Sequence, residues 1–75
     1  MNRPKKRSLT LRGHRTSVSL EDEFWQAFRE IAAKSNRSVN DLAAEIDEKR
    51  GMSIGLASAI RLFVLAHFRQ LSRLG

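Results

Sequence analysis

Arg15, Ser17 and Ser19 stand at alternate positions of one short run, His14-Arg15-Thr16-Ser17-Val18-Ser19-Leu20. On an extended chain, alternate residues share a face. One guanidinium and two hydroxyls would then point the same way, with Thr16, Val18 and Leu20 behind them. A guanidinium forks onto paired acceptors such as a phosphate or the O6/N7 edge of guanine, and a hydroxyl can donate or accept. This is recognition chemistry, in which hydrogen bonds select a partner and no bond is broken. No nucleophile–base spacing, glycine-rich phosphate loop or carboxylate pair stands out elsewhere, so the chain reads as a non-enzyme. With no Cys and no second His near His67, a metal site is not expected, and no cofactor is implied.

The charge is placed where such recognition would use it. The chain has 75 residues and a formal net charge of +6. Residues 1–15 carry six cations (Arg3, Lys5, Lys6, Arg7, Arg12, Arg15) and no acid, whereas residues 16–75 are balanced at eight and eight. A cationic block means a polyanionic partner or a solubilising tail, and beside a strand with an outward Arg it favours nucleic acid over mere solubility. With Pro4 and no evident period, residues 1–13 are expected to be a basic flexible arm, followed by one folded domain over 14–75. No apolar run resembles an export signal. Ile54–Phe68, the most apolar segment, is too short and too charged to cross a bilayer, so a cytoplasmic, nucleoid-associated location is expected.

The rest of the chain must position that strand. Residues 14–20 are the one strand that the pattern predicts, and a lone strand leaves its N–H and C=O groups unpaired. The expected remedy is an antiparallel pairing with the same strand of a second copy. Three helices should follow. The first spans about Glu21 to Lys34, with Phe24, Ala27, Phe28 and Ile31 inward and Trp25 half-buried. Its start would be capped by Ser19 in a capping box with Asp22. Asn36 can take the left-handed conformation that ends a helix. Ser38 should cap the second helix, about Val39 to Arg50, with Asp41 three residues on. Its inward residues are Val39, Leu42, Ala43 and Ile46. Gly51 closes it. The third helix starts near Ser53 and runs to about Arg73. Its apolar stripe (Leu56, Ala59, Ile60, Phe63, Val64, His67, Phe68, Leu71) is joined by Leu62, Leu65 and Ala66. A helix this apolar should be buried on more than one side.

Strand, capped helix, short turn and capped helix, together with Asn36-Arg37-Ser38-Val39-Asn40 at the turn, resemble the ribbon-helix-helix repressors, the Arc and MetJ group. The likeness covers roughly Arg15 to Ile46. It implies a mainly α protein (β-α-α-α) built as an intertwined homodimer, with an intermolecular two-stranded antiparallel ribbon in the DNA major groove. It also implies that Arg15, Ser17 and Ser19 read bases, unless Ser19 serves only as a helix cap. The start of the second helix (Ser38, Val39, Asn40, with Arg37 beside it) would hold a phosphate. Lys5, Lys6, Arg7 and Arg12 would add phosphate contacts from the arm. The third helix departs from the short members of the family and resembles a bacterial three-helix subgroup. It could wrap the partner subunit or join dimers into a tetramer.

The expected function is therefore sequence-specific binding of double-stranded DNA by a transcriptional regulator or repressor. The alternative is a protein-interaction module of the antitoxin kind. A membrane-surface role fits less well, because the third helix lacks a strongly cationic polar face.

Overall fold

Arg12 and Gly13 both have positive φ, +50° and +85°. Two such residues in a two-residue loop make the type I′ turn that suits the natural twist of paired strands. They join β1 (Lys5–Leu11) to β2 (His14–Leu20) as an antiparallel hairpin, in register from Lys5↔Leu20 to Leu11↔His14. The computed structural model describes residues 3–74, and three helices follow the hairpin: α1 (Asp22–Lys34), α2 (Val39–Lys49) and α3 (Leu56–Leu74).

The strand at 14–20 and the three helices stand where the sequence places them. The arm does not. Its residues 5–11 are a strand, and they supply the pairing partner expected from a second molecule. The described part of residues 1–13 is thus no flexible arm; its first two residues lie outside the described region. The order is β-β-α-α-α. The physical reason is local: a two-residue turn closes a hairpin at far lower entropic cost than recruiting a strand from another chain.

Alternation in β1 matches that in β2. Leu9 is buried, with Leu11 and Arg7 half-buried, while Lys6, Ser8 and Thr10 are exposed. In β2, Val18 and Leu20 are buried, but Thr16, on the same inner face, remains exposed. The inner face packs on the helices, with α2 under β1 and α3 beside β2. Leu9, Val18 and Leu20 meet Phe28, Ile31, Leu42, Ala43, Ile46 and Ile60 in one core. Phe28 sits at its centre, fully buried, and meets Phe63 edge-on at 6.1 Å between ring centroids.

The caps divide. Asn36 (φ +55°) ends α1 as expected, with the Arg37 and Asn36 N–H groups donating to the Ala32 and Ala33 carbonyls. This is a Schellman closure with Asn in place of the usual Gly. Ser38 Oγ accepts the Asp41 N–H at 3.0 Å, and this cap starts α2. The first capping box does not form. Glu21 is the N-cap of α1 and makes no side-chain cap bond. Asp22 is held instead by Arg7 and Lys5.

Salt links fasten the hairpin to the helices. Arg7 donates to Asp22 and to the Leu20 carbonyl, and its guanidinium lies 5.5 Å from the centre of the Trp25 ring. Arg61 of α3 holds both oxygens of Glu21. Arg7 foremost, with Lys5 beside it, keeps the Asp22 carboxyl below the ordinary carboxylate range, and Arg61 does the same for Glu21.

Two outcomes follow from these contacts. Gly13→Val should destabilise the fold by about 1–2 kcal/mol, because a β-branched residue resists the left-handed region. Arg12→Asn, which favours such turns, should cost nothing; denaturant unfolding of both variants measures this. The second concerns acid. Carboxylates depressed by folding stabilise the protein above their unfolded value, near about pH 4, and lose that contribution as pH falls through the folded value. Thermal melts should therefore hold steady down to about pH 5 and drop below about pH 4. Asp22→Asn should melt lower than wild type at pH 7, and the difference should shrink as pH falls through the folded value of Asp22.

Candidate nucleic-acid interface

In an antiparallel hairpin, directly opposed residues share a face. Lys6↔Ser19, Ser8↔Ser17 and Thr10↔Arg15 are three successive opposed pairs, and all six residues are exposed. They form one polar face with no acid on it, set on a ribbon two strands wide. A B-DNA major groove, about 12 Å across, admits such a ribbon.

Cations near this face are sorted by what they touch. Lys5 pairs with Asp22 at 3.2 Å, and Arg12 pairs with Glu48. Arg7, with a side chain 16% exposed, is turned under the ribbon. It holds the strands down and does not reach outward as expected. Among the described residues, Lys6 and Arg15 make no ion pair. They are the two cations of the outward face.

The outer edges of the ribbon are partly covered. Next to a two-residue loop, Leu11↔His14 is a hydrogen-bonded pair, so the alternate pairs Thr10↔Arg15, Ser8↔Ser17 and Lys6↔Ser19 aim their backbone groups outward. Asn40 Oδ1 accepts the Thr10 N–H at 3.0 Å. Arg61 donates to the Ser19 carbonyl at 3.3 Å. These bonds hold the ribbon at a set height over α2 and α3.

The structure brings Arg15, Ser17 and Ser19 together on one exposed face. Ser19 caps no helix, so its hydroxyl remains on that face. At the start of α2 the expected roles change. The Asn40 side chain is occupied by Thr10, and the Ser38 hydroxyl by Asp41. Arg37 is drawn along α2 to Glu45 and to the Asp41 carbonyl, and Glu45 also takes Lys49 at 3.0 Å. Arg37, then Lys49, lower the Glu45 carboxyl below its ordinary range. The Val39 and Asn40 N–H groups are unpaired among the described residues, as first-turn donors generally are. An anion could be held there only by backbone, with Arg37 released from Glu45.

Ser8 and Thr10 were not expected at this face. Their signal is present in the sequence: Lys6, Ser8 and Thr10 alternate with Arg7, Leu9 and Leu11. High charge conceals it, as does a turn whose first residue is Arg and not the usual Asn or Asp. Among the described residues no group of His, Cys, Asp and Glu could hold a metal ion, and no helix is long and apolar enough to cross a membrane.

Comparison with known proteins agrees with this geometry. No curated protein matches the chain. It is similar to the solved structure of an uncharacterized protein from Bordetella pertussis Tohama I, with 31% identity and a TM-score of 0.79. The match takes in 93% of this chain but 59% of that one, so this chain spans less than two thirds of the Bordetella protein. A family model described as a ribbon-helix-helix domain matches residues 4–68, which include both strands of the hairpin. The chain therefore belongs to the ribbon-helix-helix domain family, whose members are generally DNA-binding transcription regulators.

Proposed function

We propose that the chain binds double-stranded DNA by laying the outward face of its hairpin in the major groove, and that it regulates transcription by occupying an operator. One observation carries this reading. Six exposed polar side chains, two of them cations with no ion pair among the described residues, cover one side of the ribbon, and the other side is packed on helices. Arg15 would fork to guanine O6 and N7, and Ser17 and Ser19 would add weaker discrimination. Lys5, Arg12 and the first turn of α2 (Ser38, Val39, Asn40, with Arg37) would hold phosphates, which set register without reading sequence. Such work belongs in the cytoplasm, at the nucleoid.

A homodimer completes the proposal. Ribbon-helix-helix proteins bind DNA as dimers. The lone strand no longer supports a dimer here, because β1 fills that place. Support comes instead from α3. Leu62, Leu65, Phe68 and Leu71 are each between 43% and 56% exposed. Four large apolar side chains in sequence on one helix make a surface that a second copy would cover. A partner protein of another kind on that surface is the competing reading, and the mass of the purified protein separates them.

Binding to a labelled duplex should weaken steeply with salt, log affinity falling by about 0.9 per unit of log salt for each phosphate neutralised. Arg15→Ala should reduce affinity and blur sequence preference, costing about 1–3 kcal/mol of discrimination. Fluorescence anisotropy with specific and scrambled duplexes at two salt concentrations reads both; equal affinity of the wild type for every duplex would leave only non-specific binding. In analytical ultracentrifugation the wild type should sediment as a dimer and Leu65→Glu as a monomer.

A further inference from the structure

β1 and β2 are two copies of one pattern. Read nine residues apart, Lys6 corresponds to Arg15, Ser8 to Ser17, Leu9 to Val18, Thr10 to Ser19 and Leu11 to Leu20. Each strand reads cation, hydroxyl, hydroxyl on one face and aliphatic, aliphatic on the other. The register makes this a symmetry in space. Ser8 opposes Ser17, Lys6 opposes Ser19, and Thr10 opposes Arg15. A half-turn about the midpoint of Ser8 and Ser17, perpendicular to the ribbon, carries Lys6 onto Arg15 and Thr10 onto Ser19. The hairpin thus has an approximate two-fold axis inside a single chain.

We propose that one chain presents both halves of a DNA-reading ribbon, with Lys6 and Arg15 each reading a guanine at opposite ends. This rests on the major-groove reading given above. Duplex DNA has its own local two-fold axes. A ribbon with matching symmetry places its two cations on equivalent sites of opposite DNA strands. Lys6 and Arg15 lie four residues apart along the ribbon, about 13 Å at about 3.3 Å per residue. That distance covers about three to four base pairs at an axial rise of about 3.4 Å. The element recognised is then a short inverted pair of guanines, one per strand, with the hydroxyls of Ser8, Thr10, Ser17 and Ser19 over the bases between.

Other cations of the hairpin do not compete for this role. Lys5 and Arg7 are held by Asp22, and Arg12 by Glu48. Among the described residues, Lys6 and Arg15 alone of the hairpin's cations share the outward face and have no ion-pair partner. Lysine, like arginine, offers donors to guanine O6 and N7, though without arginine's rigid fork. The end read by Lys6 is therefore the more permissive one.

Selection from random duplex DNA with wild type, Lys6→Ala and Arg15→Ala tests this. Wild type should recover the inverted guanine pair. Lys6→Ala should lose preference at one guanine and keep the other, and Arg15→Ala should do the reverse, each by roughly 5- to 150-fold. Lys6→Arg should keep both. Both side chains are exposed, and thermal melts matching wild type would show that the variants are folded. If Arg15→Ala erased both guanines and Lys6→Ala neither, two β2 strands from two chains would form the reading surface, and the inference would fall. It would fall equally if Lys6→Ala weakened every duplex alike with the motif unchanged, although DNA binding itself would stand. Absence of binding to any duplex by wild type would remove both readings.

Discussion

Pairing of β1 with β2 is the constraint on which the remaining features depend. A strand left alone exposes a row of backbone donors and acceptors, and those on a packed face cannot be left unsatisfied. The Arg12–Gly13 turn resolves this within the chain. Once the hairpin is closed, its register decides which side chains face the helices and which face solvent. Leu9, Val18 and Leu20 then have a common direction and can seal the top of the core over Phe28 and Ile60. Everything polar in the alternate positions is turned outward together.

The hairpin would be a marginal object by itself, since an isolated two-stranded ribbon barely holds in water. Three kinds of attachment stabilise it. The apolar inner face contributes most, through burial. Arg7 reaches under the ribbon to Asp22, Leu20 and Trp25, where its charge is partly shielded from water and its guanidinium lies over the indole. Asn40 and Arg61 each satisfy a backbone group at one edge, one from α2 and one from α3. A consequence is that the outward face is held from both edges and from beneath. Side chains that select a partner by hydrogen bonds discriminate best when their backbone is held in place, because little ordering is then lost on contact.

Two of the three helices serve this platform directly, and the third does more than that. The first half of α3 closes the core with Ala59, Ile60 and Val64. Beyond Val64 the helix carries Leu65, Phe68 and Leu71 to the surface, where they touch too little to be buried. With Leu62, which is exposed on the earlier turn, they make an apolar surface on the same helix that closes the core.

The sequence by itself determined the elements whose signals are local. Alternation over His14–Leu20, the periodic apolar faces of the helices, the Asn36 stop and the Ser38 cap are each set by residues within a few positions, and so is the resemblance to ribbon-helix-helix proteins. Only the tertiary structure decided the first strand. Lys5–Leu11 looks like a solvated cationic tail until Arg7 is seen to find Asp22 and Trp25, contacts 15 and 18 positions away. It also decided that Ser19 faces outward and caps nothing, because Ser19 stays in the sheet opposite Lys6, the helix takes Glu21 as its N-cap, and Asp22 is already engaged by Arg7. Tertiary structure decides such assignments because each side chain has several chemically acceptable partners, and which one it meets depends on the packing of segments far apart in the chain.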